Sequence, residues 1–489
     1  MDDLTRQIAA RGQHARASGA APRRLLLVCA HFARTRHTGG IRWRALARDL
    51  PRMGWTLDVL AVDPTHPSEV HPGPPPEIEG VRLHLVSPDW WGQRLRLGAG
   101  RALSRLRSAS GEGSESSDPH PVPLPAGEGT SDGAPEASGK TDPPEAARRD
   151  RPLAAEARRV VVGATEAMRD ASWARRALTV ARPLARVADA VVVTSPVHLS
   201  HRVGVALARE TGATYVADFR DPLIYGRSEA DLAALDPATR GLWRRLEREV
   251  LREAACCVDI AEGAQRAVQA ATRAAGLADP PRHYIPNGYD PLPEPPSRPD
   301  PDAFRVAYTG WLYPFMAVPA WFAAMSRFAR RHGLGPDRFR VDLVGTGETF
   351  RRRPLADLAG EHGITEHVTL AGRLPPEAAD RAMQRAALLV AFDSVVSGGL
   401  CIPTKLYFYA RTHGNLLLLG KPEGAMAIEA AKIGQRVLDP ADAPALDAAL
   451  DAAFRTWQRR DYPEVLDARG LFDSRRSALA WDDLLRALA

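Results

Sequence analysis

Residues 386–420 decide the fold class of this chain; they read AALLVAFDSVVSGGLCIPTKLYFYARTHGNLLLLG. The apolar runs Leu388–Phe392 and Asn415–Leu419 predict two strands that are covered on both faces, as in a parallel sheet. Between them a glycine loop leads to Thr404, which is placed to cap a helix that begins at Lys405. We therefore predict a strand–loop–helix–strand unit, in which ligands bind beyond the carboxyl ends of the strands.

The lysine at this helix start is unusual for the sequence, because only four of the 65 lysine and arginine residues are lysines. Three of the four are Lys405, Lys421 and Lys432. A helix start offers free N–H groups, and an ammonium is a compact charge that suits a phosphate. We predict that Lys405 meets an anion. For Lys421 and Lys432 we favour the alternative, chance clustering on a solvated helix face.

Composition excludes several classes of protein. With 489 residues and 45% hydrophobic content, the chain can form two or three domains with sizeable cores. The net charge of +6 is modest, and no basic and aromatic run resembles a nucleic-acid groove, so we expect no nucleic-acid partner.

The four cysteines lack metal-site spacing, which predicts no metal and favours a reducing compartment. No apolar stretch approaches the ~18 residues of a membrane span. We expect a cytoplasmic protein that can touch the inner face of the plasma membrane.

The order of predicted strands and helices is typical of an α/β protein with two doubly wound, Rossmann-like domains facing a cleft. Residues from about 108 to 147 contain no aromatic side chain and predict a disordered insertion in the first domain. We divide the chain into a flexible N-terminal tail (1–22), an N-terminal domain (23–290), a proline-rich linker (291–302), a C-terminal domain (303–473) and a terminal helix (474–489) that is expected to pack back on the N-terminal domain.

Glycine turns follow several predicted strands. Gly39 and Gly40 come after the first strand of the chain, and Gly310, Gly345 and Gly347 come after the first two strands of the second domain. Such turns let the backbone approach a phosphate or a base closely. A tight turn without a ligand explains the first pair equally well.

Charged residues end two strands of the first domain. His198 follows one buried strand, and Asp218, Arg220 and Asp221 follow the next. Charges at the end of a buried strand are costly to desolvate, so they meet each other or a polar ligand. An ion pair between Arg220 and an aspartate, which would brace the loop, and contact with a ligand are equally favoured and can coexist.

Residues 154–188 have helical spacing and an excess of arginine. A basic amphipathic helix can lie on an anionic membrane surface. The favoured alternative is a helix that packs on the core and leaves its arginines in solvent.

Several stretches together resemble the GT-B fold of nucleotide-sugar glycosyltransferases, in particular the retaining glycosyltransferase family 4. They are Gly39-Gly40 with IRWRALARDLPRMGW, TSPVH, DFRDP, IPNGYD, YTGWLY, LVGTGE and IPTKLYFY. The resemblance implies a C-terminal domain that binds a nucleoside diphosphate sugar and an N-terminal domain that binds a glycan or lipid-linked acceptor, in surface polysaccharide synthesis. It also implies retention at the sugar carbon and no metal or other cofactor.

Three sets of site residues follow from the motifs and the resemblance. The catalytic set is Lys405, Asp393 and His198. The donor-binding set is Gly310, Gly345, Gly347, Glu348, Thr404, Lys405, Gly39 and Gly40. The acceptor-binding set is Arg42, Asp218, Arg220 and Asp221.

The sequence also departs from family 4. Many members have a pair of glutamates; here Phe408 stands at the second glutamate position, and Leu400 stands at about the first. Many members also have a basic pair after the first strand of the second domain, and residues 311–315 contain no base. Phe408 cannot accept hydrogen bonds from ribose hydroxyls; Asp393 and Glu348 are the substitutes that we consider. The alternatives to an active transferase are a catalytically inactive GT-B protein that binds a sugar nucleotide or supports a partner enzyme, and an epimerase, for which the sequence offers no acid/base set.

Overall fold

The computed structural model describes residues 2–19, 21–34, 38–66, 74–87, 166–292, 294–393, 399–463 and 465–489. The described strands form two large parallel sheets and one short hairpin. The strands are β1 Arg23–Val28, β2 Trp55–Val62, β3 Val81–Val86, β4 Ala190–Thr194, β5 Tyr215–Phe219, β6 Cys256–Asp259, β7 Arg282–Tyr284, β8 Phe304–Thr309, β9 Phe339–Val344, β10 Thr349–Phe350, β11 Arg353–Pro354, β12 Val368–Gly372, β13 Leu388–Phe392, β14 Asn415–Leu419 and β15 Val437–Leu438.

Helices flank both sheets. They are α1 Asp3–Ala17, α2 Ile41–Asp49, α3 over residues 166–185, α4 His201–Thr211, α5 Glu229–Ala234, α6 Pro237–Glu253, α7 Glu262–Ala274, α8 Val318–His332, α9 Leu355–Glu361, α10 Pro376–Arg385, α11 Thr404–Ala410, α12 Ala425–Lys432, α13 Ala443–Arg459 and α14 Ser474–Leu488.

The two sheets repeat one topology. The first has strand order β3-β2-β1-β4-β5-β6-β7, and the second has β12-β9-β8-β13-β14-β15. In each sheet the order reverses beside its first strand, between β1 and β4 and between β8 and β13. Ligands of open α/β sheets bind outside the carboxyl ends of the strands at such switch points. The prediction of two doubly wound domains is confirmed; the domain boundaries stay predictions, and the predicted insertion at about 108–147 lies outside the described residues.

The strand at the centre of residues 386–420 shows why its sequence is apolar without interruption. Leu388, Val390 and Phe392 pack into the core on one face of the sheet. Leu389 and Ala391 pack into the core on the other face. Since successive strand residues point to opposite faces, a sheet covered on both sides needs apolar residues at every position.

The prediction of a flexible tail at 1–22 is wrong for residues 3–17, which form α1. The Asp2 side chain caps this helix by accepting the N–H of Thr5 at 3.0 Å. Arg11 donates to Asp482 at 2.6 Å and to Asp483 at 2.7 Å. The helix is stabilised by contacts with the far end of the chain, which local sequence patterns do not reveal.

The C-terminal helix α14 packs against α2 and α1. The Trp481 ring lies 4.8 Å from the ring of Trp43, and the indole N–H of Trp55 donates to Asp482 at 2.7 Å. The last segment of the chain therefore covers one face of the first sheet, and the N-terminal helix covers it in turn.

Candidate active site

The strongest candidate for anion binding lies at the switch point of the second sheet. The ammonium of Lys405 lies 4.9 Å from the centroid of the Tyr308 ring. A Cβ on Gly310 would lie 3.0 Å from Lys405 Nζ, so the glycine makes room for the ammonium. Among the residues that the structure describes, Lys405 forms no ion pair and no hydrogen bond through this group. Burial lowers the pKa of Lys405 to about 8.

The helix that carries Lys405 begins one residue earlier than predicted. Thr404 is its first residue, and the N-cap is Pro403, which makes no side-chain hydrogen bond. The predicted cap by Thr404 is therefore wrong, because a residue inside the first turn cannot take the extended backbone of a cap. Lys405 stays within that first turn.

The glycine loop after β9 adjoins Gly310. A Cβ on Gly345 would lie 3.4 Å from the backbone nitrogen of Gly310, and both glycines have positive φ, 76° and 105°. These conformations are strained for any residue with a side chain. The predicted donor residues Gly310, Gly345 and Lys405 are thus brought together, as a backbone surface next to a cation.

Beyond this contact lies a pocket of about 270 Å³ on the C-terminal domain. Its lining residues are Thr346, Gly347, Glu348, Pro354, Ala356, Leu370 and Gly372. Thr346 is 7% exposed, and its hydroxyl has no hydrogen-bond partner among the described residues. A buried hydroxyl without a partner is costly and is explained by a ligand or a water molecule that supplies one.

A short arginine hairpin next to this pocket was missed by sequence reasoning. Arg351 and Arg352 have φ of 51° and 64° and form the two-residue turn between β10 and β11. Consecutive positive φ values define a turn that favours Asn-Gly. Arg351 donates to the carbonyl of Pro314 at 2.6 Å. The hairpin therefore brings the Arg351 guanidinium to the loop 311–315, which carries no base of its own.

Asp393 lies at the end of β13, at the same switch point. It is buried, and its backbone N–H donates to Leu419 at 2.8 Å. A Cβ on Gly424 would lie 3.2 Å from Asp393 Oδ2, so the carboxylate is enclosed by backbone. Residues 394–398 of the following loop lie outside the described residues.

Phe408 takes the position at which family 4 places a carboxylate. It lies on α11, with the Arg411 guanidinium 5.2 Å from its ring. Arg411 is itself held by the carbonyl of Asp290 and the carboxylate of Asp380. The cation therefore has oxygen partners already and adds an aromatic contact at this position.

The predicted acceptor residues Arg42 and Asp218 are bonded to each other and to neighbouring groups of the first domain. Asp218 is 0% exposed and accepts from Trp43 and Thr194, each at 2.7 Å. Arg42 donates to Asp218 at 3.5 Å and to the carbonyl of Ile285 at 2.8 Å. Both side chains brace the ends of β4, β5 and β7, the structural role expected of charges at buried strand ends.

Arg220, Asp221 and His198 lie outside that network. The backbone N–H of Arg220 donates to Ser195 at 2.9 Å. Asp221 accepts from the Cys401 thiol of the second domain at 3.0 Å. The ring of His198 lies 4.5 Å from that of Trp243, and burial lowers the pKa of His198 well below its usual value, so the ring is neutral at pH 7.

The Gly39-Gly40 turn is tightly packed. A Cβ on Gly40 would collide with the His31 carbonyl and with the Arg44 guanidinium. Arg44 donates to the carbonyls of Phe32 and Arg34, each at 3.1 Å. The glycine is needed for this packing. Residues 35–37 of the same loop lie outside the described residues.

A buried polar cluster joins the two domains away from Lys405. Glu429 on α12 accepts from the Tyr284 hydroxyl at 2.5 Å and from Lys432 at 3.0 Å. Lys432 also pairs with Glu262 of α7 at 3.1 Å. Lys432 is thereby assigned a structural position rather than a solvated face.

The described residues show neither a membrane span nor a metal centre. None of the helices in this part of the chain combines the length and apolar character that crossing a membrane requires. No group of three or more His, Cys, Asp or Glu side chains in the described ranges is placed to hold a metal ion. The absence of a metal requirement stays a prediction.

No family model and no curated protein matches this sequence. Solved structures do match, at low sequence identity. A sucrose-phosphate synthase from Thermosynechococcus elongatus is 16% identical with a TM-score of 0.57, over 95% of this chain and 99% of that chain. The trehalose-phosphate synthase (UDP-forming) from Burkholderia vietnamiensis is 11% identical with a TM-score of 0.54, over 95% and 100%. Anabaena HepE, in complex with UDP-glucose, is 11% identical with a TM-score of 0.55, over 95% and 99%.

The chain has the GT-B fold. The match covers both sheets, so the whole GT-B architecture is shared and not one Rossmann-like half. Membership of glycosyltransferase family 4 stays a prediction, since the similar structures include trehalose-phosphate and sucrose-phosphate synthases. At these identities the likeness establishes the fold and leaves activity to the residues of the site.

Proposed function

We propose that this GT-B protein transfers a sugar from a nucleoside diphosphate sugar to a glycan or lipid-linked acceptor, with retention, in cytoplasmic synthesis of surface polysaccharide. The observation that carries the proposal is the Lys405 ammonium, which lies beside Gly310 without an anionic partner among the described residues. A cation held in this way stabilises the negative charge that develops on a departing diphosphate.

Donor binding is assigned to the C-terminal domain. Lys405 and the first turn of α11 at Thr404 would meet the diphosphate. Gly345 and Gly347 would let the nucleotide approach the backbone. This assignment uses a cation and N–H groups, as the resemblance implies, and needs no metal ion.

Acceptor binding is assigned to the edge of the N-terminal domain. Arg220 and Asp221, which directly follow the carboxyl end of β5, remain as candidates, whereas Arg42 and Asp218 are bonded to each other. Asp393 would supply the carboxylate that Phe408 does not, and His198 has a ring nitrogen, Nδ1, without a partner among the described residues. Gly39-Gly40 would close over the donor from this side.

Phe408 favours a second candidate, a catalytically inactive protein that binds a sugar nucleotide or supports a partner enzyme. An aromatic ring under an arginine cannot hold ribose hydroxyls as a carboxylate does. Isothermal titration with a panel of nucleoside diphosphate sugars, followed by a product assay with lipid-linked acceptors, separates the two candidates. Binding with product supports a transferase, and binding without product supports the second candidate.

Peripheral membrane contact belongs to the same proposal. The described part of α3 exposes Arg175 and Arg176, and Met168 is 46% exposed. Arginines with an exposed apolar side chain suit the headgroup region of an anionic bilayer. Co-sedimentation with anionic vesicles, compared with neutral vesicles, tests the contact; equal sedimentation with both would contradict it.

A further inference from the structure

One carboxylate in the pocket after β9, that of Glu348, has no protein partner among the described residues. Glu348 is exposed at the pocket wall. Its side chain forms no hydrogen bond or ion pair with any residue that the structure describes. The neighbouring Thr346 hydroxyl is buried and likewise unpartnered. The cavity is therefore lined by one carboxylate without a protein partner and by a residue whose hydroxyl is buried and unpartnered among the described residues.

The rest of the pocket is lined by apolar side chains and backbone. A Cβ on Gly347 would lie 2.7 Å from the ring of Trp311, so the packing of this indole requires glycine at that lining position. Leu370 and Gly372 line the same cavity and add apolar and backbone surface. Apolar walls with a few polar groups are typical of sites for small molecules.

The chemistry of Glu348 distinguishes among bases. An ionised carboxylate only accepts hydrogen bonds, through two oxygens side by side. Guanine offers two adjacent donors, the ring N–H and the exocyclic amino group. Uracil offers only one N–H, which lies between two carbonyl oxygens. These oxygens and a carboxylate repel each other. A carboxylate in a base pocket therefore favours guanine.

We infer that the pocket formed by Thr346, Gly347 and Glu348 selects a guanine nucleotide over a uracil nucleotide. The inference rests on the proposed function and names the class of donor that it uses, a guanosine diphosphate sugar. Glu348 forms the paired hydrogen bonds to the base edge.

The test uses the full chain and isothermal titration with GDP and UDP. We expect GDP to bind roughly tenfold or more tightly than UDP, the discrimination typical of a paired contact to a base edge. Glu348→Gln weakens GDP binding by a similar factor and leaves UDP binding unchanged, because the amide loses one acceptor. Glu366→Gln is the matched control. Glu366 is exposed and precedes the amino end of β12, whereas the pocket lies at the carboxyl ends of the strands.

Three outcomes contradict the inference and are distinguishable. Equal binding of GDP and UDP, or tighter UDP binding, overturns guanine selection but leaves the proposed function standing. Equal weakening of both nucleotides by Glu348→Gln overturns it as well, because it places the carboxylate on the ribose, which both share. Failure of every nucleotide to bind overturns the proposed function together with the inference.

Discussion

The switch points of the two sheets differ in how their polar groups are satisfied. At the first, Asp218 accepts from Trp43 and Thr194 and pairs with Arg42. At the second, Lys405 has only an aromatic ring beside its ammonium among the described residues. The topology is the same in both, but one edge is closed by its own side chains and the other keeps its charge available.

The hydrogen-bond partners of a charged residue distinguish a structural role from a ligand-binding role better than its residue type does. From the sequence, Arg42 was predicted to bind the acceptor and Lys405 to bind the donor. Removing the partner of a buried charge destabilises the fold, whereas a buried charge that has no partner already costs free energy that a ligand can recover. The predictions below test that difference.

The largest effect is expected from Asp218→Ala. Removal of the carboxylate takes the counter-charge from the buried Arg42 guanidinium and the acceptor from the Trp43 N–H, which costs about 3–5 kcal/mol. Denaturant unfolding should show the loss, while Asp337→Ala, at an exposed position, should leave stability unchanged. If Asp218→Ala unfolds like the wild type but binds acceptor poorly, the first edge is a binding site after all.

Lys405→Ala should act on turnover and leave the fold intact. The loss of one preorganised charge at the leaving group costs about 10²–10³ in kcat. Arg436→Ala is the control, because Arg436 is an exposed cation just before the amino end of β15. Wild-type turnover by Lys405→Ala would remove this ammonium from the mechanism.

The pH dependence of donor binding follows from the pKa of about 8 at Lys405. The ammonium is charged below that pH, so donor affinity should fall by about tenfold per pH unit above it. Because burial lowers this pKa, the charged lysine reduces the free energy of unfolding below about pH 8. This cost is relieved as the pH rises from about 8 toward the ordinary pKa of lysine. Titrations from about pH 7 to about pH 10 cover the pKa of about 8 and approach the ordinary lysine value. Over this range the donor affinity of the wild type should fall with pH, and that of Lys405→Ala should stay constant.

The smallest effect is expected at the hairpin between β10 and β11. Arg352→Gly relieves a left-handed conformation at φ 64° and should raise the free energy of unfolding by about 1 kcal/mol. Arg352→Ala removes the charge and keeps the strained backbone, so it should not stabilise. If both variants stabilise equally, charge repulsion within residues 351–353 is the cause.

Much of the architecture could be predicted from the sequence. The strands Leu388–Phe392 and Asn415–Leu419 were predicted with the ends that the structure has. Their apolar runs reflect burial on both faces, which is a local property. The helix α1 escaped prediction because Arg11 finds its partners at Asp482 and Asp483, at the other end of the chain.

The candidate site was predictable only in part. Lys405, Gly310 and Gly345 were identified from their places after strands. The arginine hairpin and the unpartnered Thr346 hydroxyl were not, because positive φ values at Arg351 and missing hydrogen bonds leave no mark in the sequence.

The order of strands and helices was determined by the sequence itself, since hydrophobic periodicity records burial residue by residue. Which polar residues pair with each other was decided by the tertiary structure alone. Arg42 and Asp218 are 176 positions apart and become partners only when the fold places α2 beside β5. Lys405 has no such partner among the described residues, and that difference depends on three-dimensional placement.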